Sequence, residues 1–194
     1  MMPPFYEKHC KRYRAYYPVI KEHFTSSAAQ KAALRVVSGP LAWGMYGAYA
    51  LLLVLQGIEG YHLFDGDLRP ETSVPLLDKL YFCVLLPFLI FAVTTVVRNM
   101  INAPRPYEKY DITPLFPKST KGRSCPSRHT ACAFAVAFAW FPANFAVCAF
   151  LCAAAVLIGI SRPLCGVHFP LDAVFGFLVA LAVQLVGVGL YVFI

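Results

Sequence analysis

Arg98, Arg105-Pro106 and Cys125-Pro126-Ser127-Arg128-His129-Thr130 form one chemically dense stretch of the sequence, and Ser161-Arg162, His168 and Asp172 form a second. Both adjoin long apolar runs, where arginines are costly without an anionic partner and polar clusters mark function. A phosphate oxyanion is the natural guest, because guanidinium forks meet its oxygens bidentately and keep their charge at any relevant pH. Ser127 and the amides after Pro126 add donors if a helix begins there, since helix N-termini collect anions. His168 stands two residues before Pro170, a residue suited to the first turn of a helix. Asp172 then falls about one turn on, where its carboxylate reaches back to the imidazole, holds one ring nitrogen and frees the other for attack. His129, arriving from the other stretch, is left to protonate a departing alkoxide.

The elements that must position these groups are membrane helices. Of the 194 residues, 59% are apolar and 14% charged, which excludes a soluble domain, whose surface needs about 25% charged residues. Residues 36–58, 80–97, 130–161 and 173–194 carry no Asp, Glu, Lys, Arg or His, and each meets or approaches the ~18 to 20 residues that span a bilayer. The third run is too long for one span, and Pro142-Ala143-Asn144 reads as a hairpin turn that divides it into helices over about 126–141 and 143–160. The expected fold is therefore an all-α, polytopic bundle of about five spans, with a sixth possible. Residues 1–35 mix seven basic and two acidic groups with Phe5, Tyr6, Tyr13, Tyr16, Tyr17 and Phe24. They read as an amphipathic segment on the headgroups, without a signal peptide, ahead of a transmembrane domain over 36–194.

The charges also predict orientation. Residues 58–79 hold two basic and five acidic groups, whereas residues 98–129 hold seven basic and two acidic. Parity over five spans puts the amino terminus and both chemical stretches on one face, and the positive-inside rule makes that face cytoplasmic. The net charge of +7 suits membrane orientation or an anionic substrate; no nucleic-acid motif is present. Lys109, Lys118, Lys121 and Arg123 read as loop charges that enforce topology. His9, His23 and His62 read as solvated surface groups. The seven cysteines never form CxxC and read as buried thiols rather than zinc ligands or disulfides.

Arg98-x6-Arg105-Pro106, Pro126-Ser127-Arg128-His129 and Ser161-Arg162-x5-His168-x3-Asp172, in that order, resemble the three signature motifs of the type 2 phosphatidic acid phosphatase (PAP2) superfamily. The resemblance implies an integral-membrane phosphatase that needs no metal or other cofactor. By it, His168 attacks phosphorus to give a phosphohistidine, Asp172 supports it, and His129 serves as acid and then as base for water. Arg98, Arg105, Ser127, Arg128 and Arg162 hold the phosphate. The implied substrate is a lipid phosphate monoester or a polyprenyl diphosphate, of the phosphatidic acid, phosphatidylglycerol phosphate or undecaprenyl diphosphate type. Arg98 stands where the family usually has lysine, and Arg128 where it usually has a glycine that lets backbone approach the phosphate. The alternative class is a non-enzymatic membrane protein that binds or transports anionic lipids, for which polar groups near mid-bilayer are expected. A vanadium haloperoxidase is a weaker expectation, since those relatives are soluble.

Overall fold

A computed structural model describes residues 4–64, 78, 80–110 and 112–193 of the chain. Among them the regular structure is helical, with no strand. Helix α1 (Pro4–Ser26) buries Tyr6, Cys10, Tyr13 and Tyr17, positions three or four apart that fall on one helical face. Its other face exposes Lys8, Lys11, Arg12 and Arg14. Ser27 ends the arrangement by capping α2 (Ala28–Ser38), its hydroxyl accepting from the Gln30 amide at 3.4 Å. Gly39 and Pro40 separate α2 from α3 (Pro40–Phe64).

The chain resumes with a π-helical turn, Tyr81–Leu85, continuous with α4 (Leu86–Ile101). Asn102 stops α4 in the left-handed conformation (φ 41°, ψ 43°), its amide bonding back to Arg98, a common helix ending for asparagine. A single turn, α5 (Pro106–Lys109), precedes α6 (Arg128–Ala139), α7 (Phe145–Leu164) and α8 (Pro170–Phe193). The turn expected at Pro142-Ala143-Asn144 joins α6 to α7, and Asn144 caps α7 by accepting from the Val147 amide at 3.0 Å.

Among the described residues, four helical stretches are long and apolar enough to cross a membrane: Ala28–Ile58, Tyr81–Lys109, Phe145–Leu164 and Pro170–Phe193. The expected helix at 126–141 is short: 12 residues are helical there, about 18 Å of rise, less than a ~30 Å hydrocarbon core by itself. Helix α6 is the centre of the bundle, packed by α3, α4, α7 and α8. Ala131, Ala133, Ala135, Ala137 and Ala139 are buried along it, and such small side chains let backbones approach, which is how apolar helices associate without a hydrophobic drive. Gly176 shows how close: a Cβ there would meet the Ser127 carbonyl oxygen at 2.5 Å. The periphery is apolar instead of charged, with Phe88, Phe150, Val156, Leu185 and Val192 exposed, as a lipid-facing surface requires.

Candidate active site

Both chemical stretches, together with α1, meet at one end of this bundle. The α7–α8 connection is shaped by Gly166, whose φ of 76° is open to glycine at little cost and whose missing Cβ leaves room for the Tyr17 ring. His168 follows, 2% exposed, and Pro170 opens α8. Asp172, fully buried, reaches back over that first turn. Its Oδ2 accepts from the Phe169 amide at 2.9 Å, closing half of a capping box, and lies 3.4 Å from His168 Nδ1. The carboxylate thus fixes the helix start and the imidazole together, and the opposite ring nitrogen has no hydrogen-bond partner among the described residues. Burial holds the imidazole below the ordinary histidine range; Asp172 pulls the other way, while Arg105 and Arg98 add to the depression. The ring is therefore a neutral base near pH 7.

Two further donors converge on Asp172. Ser124 Oγ donates to Oδ2 at 2.5 Å, and Tyr6 Oη donates to Oδ1 at 2.5 Å. Neither was expected from the sequence. Ser124 had a signal, its place three residues before Ser127; Tyr6 had only the spacing of the α1 stripe, which marks a buried face without saying what that face meets.

The arginines come from four separate places, and three of them are tethered by carbonyl oxygens. Arg98, in the last turn of α4, donates to Pro126 O at 3.2 Å. Arg105, capping α5, donates to Gly122 O at 3.1 Å and Val167 O at 3.4 Å. Arg162 lies inside the last turn of α7, one turn beyond the expected helix end, and donates to Ser38 O at 2.9 Å; its buried Nε has no partner among the described residues. Arg128 begins α6, is exposed, and lies 5.9 Å over the Phe91 ring. These arginines, His129 and His168 line a cavity of about 780 Å³ whose described lining contains no Asp or Glu. The arrangement is a set of fixed, uncompensated cations around two imidazoles. It suits an anion with several oxygens and repels a metal cation.

Ser127 and Asp172 are placed differently from the rest. Ser127 is the N-cap of α6 and fully buried, its hydroxyl accepting from Thr130 Oγ1 at 3.0 Å, and neither residue lines the cavity. Pro126 precedes the cap, after a cis peptide with Cys125, instead of occupying the first helical turn. The expectation for the loop cations is corrected in part. Lys118, Lys121 and Arg123 line the cavity, because the 112–124 segment is tied beside it: Leu115 N donates to Cys165 O and Tyr107 Oη to Thr120 O. Lys109 points away, pairing with Glu7 at 3.5 Å. His9 meets Phe5 O within α1 and His23 meets Gln30 of α2, and the His62 side chain lies outside the described residues. Cys10, Cys125, Cys148 and Cys165 are buried thiols. Among the described residues no cluster of His, Cys, Asp and Glu is spaced to hold a metal ion.

Comparisons with known proteins bear on the fold and the family. The crystal structure of LpxE from Aquifex aeolicus superposes with a TM-score of 0.51 at 25% identity, over 81% of this chain and 93% of that one. A transmembrane PAP2-type phosphatidylglycerolphosphate phosphatase from Bacillus subtilis superposes with a TM-score of 0.51 at 24% identity, over 95% of this chain and 96% of that one. No curated sequence matches significantly. The sequence profile of the PAP2 superfamily matches residues 78–192, which include all three motifs and every helix that lines the two-histidine cavity apart from the end of α2, and on that match the chain belongs to the PAP2 superfamily.

Proposed function

We propose that the protein is a membrane phosphatase that removes a terminal phosphate from a lipid phosphate monoester or a polyprenyl diphosphate. The observation that carries this is the His168–Asp172 pair opening on a cavity walled by arginines, with His129 facing it. Phosphate oxygens bind Arg98, Arg105, Arg128 and Arg162, with the N-terminal amides of α6, capped at Ser127, adding their dipoles. The free nitrogen of His168 forms a bond to phosphorus as the bond from phosphorus to the leaving oxygen breaks, and His129 gives that oxygen its proton. His129, now neutral, takes a proton from water, whose oxygen attacks phosphorus; the phosphorus–nitrogen bond breaks, releasing inorganic phosphate and regenerating His168. Asp172 keeps the proton on Nδ1 and offsets the positive charge of the phosphoimidazolium.

The lipid tail enters from the side, because the walls flanking the cavity are exposed apolar helix faces. The amphipathic helix within residues 1–35 rests at headgroup level with Lys8, Lys11, Arg12 and Arg14 outward, and the transmembrane domain occupies 36–194. The basic excess of residues 1–35 assigns this end to the cytoplasm.

Phosphate release from phosphatidic acid, phosphatidylglycerol phosphate and undecaprenyl diphosphate, measured with detergent-purified protein in EDTA, tests the reaction. Turnover by the wild type and none by His168→Ala is expected; binding of these lipids without turnover would favour a non-enzymatic lipid binder. Single cysteines introduced at Gly66 and Ser119 of a cysteine-free variant test the face. Impermeant maleimide in intact cells should label position 66, and labelling at 119 alone would reverse the assignment.

A further inference from the structure

The first helix reaches the catalytic pair. Of the two oxygens of Asp172, Oδ2 faces Ser124 Oγ, the Phe169 amide and His168 Nδ1. Oδ1 receives Tyr6 Oη, from a residue 166 positions earlier in the chain. Tyr6 is 4% exposed, and its helix is fixed against the site at several further points. Tyr13 Oη donates to Pro163 O at 2.6 Å, and Tyr17 packs where Gly166 lacks a side chain. Phe169, next to the nucleophile, meets the Tyr6 and Tyr13 rings edge-on, with centroids 6.0 and 5.5 Å away. Two rotatable bonds on a docked helix leave the phenol little freedom, and side chains locked in this way hold a site to the geometry it needs.

We propose that Tyr6 is a positioning residue, whose phenol anchors Asp172 and so sets both the orientation and the basicity of the His168 imidazole. This makes α1, which lies outside the residues matched by the family profile, part of the catalytic unit. The proposal rests on the phosphatase reading for its effect on rate, but the basicity of His168 is a property of the free protein.

A hydrogen bond to an ionised group draws charge toward the donor, and a buried carboxylate oxygen deprived of its donor concentrates that charge. The imidazole then faces a stronger base, held by one anchored oxygen instead of two. Burial and the Asp172 charge raise the Tyr6 pKa, so the phenol remains a donor throughout the working range. The groups facing the pair are Tyr6 and Cys10 from α1, Ser124 and Cys125 before α6, His129 on α6, Arg98 on α4 and Arg105 at α5. Arg105 and Arg98 bear on the ring as cations, and beside His168 itself the side chains that reach the carboxylate are Tyr6, Ser124 and the Cys125 thiol.

The experiment compares full-length wild type, Tyr6→Phe and Tyr13→Phe in detergent. Deuterium exchange at the imidazole C2 carbon, read by mass spectrometry of the peptide that contains His168, gives the ionisation midpoint of that ring without any substrate. Tyr6→Phe should move the midpoint to higher pH and lower kcat on dioleoyl phosphatidic acid by about tenfold, with little change in KM, as expected for one lost charge-assisted hydrogen bond acting through the nucleophile. Tyr13→Phe also removes an α1 hydrogen bond, but not one to the carboxylate, and should shift the midpoint and kcat less than Tyr6→Phe does. 3-Fluorotyrosine at position 6, nearly isosteric and a stronger donor, should move the midpoint to lower pH, and it keeps the test alive if Tyr6→Phe fails to fold. An unmoved midpoint in the position 6 variants, or an equal shift in Tyr13→Phe, overturns the proposal. A wild type that releases no phosphate overturns the phosphatase reading instead, and the exchange midpoint still decides the role of Tyr6.

Discussion

Asp172→Asn isolates charge from shape at the catalytic pair. Asparagine keeps the volume and can keep an acceptor where three donors converge, on Ser124 Oγ, the Phe169 amide and His168 Nδ1. Its NH2 group then faces Tyr6, whose hydroxyl can rotate to accept where it now donates. The fold and the imidazole tautomer should survive. What is lost is a full negative charge 3.4 Å from His168 Nδ1, at the moment when phosphoryl transfer makes the ring cationic. With an effective dielectric of ~20, that attraction is about 4.9 kcal/mol, or about 3.6 powers of ten in rate. The neutral amide oxygen retains part of the hydrogen bond, so the expected fall in kcat is on the order of 10³. KM should change little, because the phosphate is held by arginines that Asp172 does not touch. Initial rates of phosphate release across substrate concentration, with a thermal scan of each protein, decide the point. A variant with wild-type thermal stability and less than a tenfold loss in kcat would refute the charge argument.

The arginine set makes its own claims. Arg105→Ala or Arg162→Ala should lower kcat/KM on the order of 10²–10³, the scale for removing one preorganised donor from a transition-state charge, measured by the same assay. Neutralising Lys118, Lys121 and Arg123 together should instead raise KM and flatten the ionic-strength dependence of kcat/KM, because exposed cations steer an anionic headgroup. Since His168 is depressed below the ordinary histidine value of about 6.5, its reactive neutral form persists into acid; the ascending limb of kcat/KM should lie below that pH, and activity should fall only as pH drops through it. Gly176→Ala should destabilise the bundle by about 1–3 kcal/mol and reduce activity, because its Cβ would push α8, and Asp172 with it, from the Ser127 carbonyl oxygen; a thermal shift with activity checks both.

The parts of this architecture that were legible in the sequence are those that obey local rules. Charge-free runs located the lipid-facing helices, and the spacing of His168, Pro170 and Asp172 implied the imidazole–carboxylate contact, because one helical turn fixes that distance. The length of α6 was not legible. Residues 126–141 are apolar enough to span, but hydropathy does not distinguish a helix that faces lipid from one that faces other helices. The alternating alanines were the available signal, since small residues allow the close approach seen at Gly176. Lys118, Lys121 and Arg123 could not be assigned for another reason. Their loop is placed by long-range bonds, such as Leu115 N to Cys165 O, that no local pattern encodes.

The burial of α6 explains how a polar site survives at the edge of an apolar bundle. A short helix surrounded by α3, α4, α7 and α8 begins below the end of its neighbours, so Thr130 lies level with Gly159 of α7 and Gly176 of α8. The longer helices rise past it and bring Arg98, Arg162 and Asp172 around its open N-terminus. A longer α6 would have carried its first turn to the same level as theirs and filled the space that the cavity occupies. Its small side chains allow the tight packing, and its shortness leaves the recess. The same recess exposes backbone carbonyl oxygens of residues 38, 122, 126 and 167, and the arginines use these as tethers. Because those tethers are neutral, the guanidinium charges remain available to an incoming phosphate; carboxylate partners in the same positions would have fixed the side chains equally well and cancelled the field that binds the substrate.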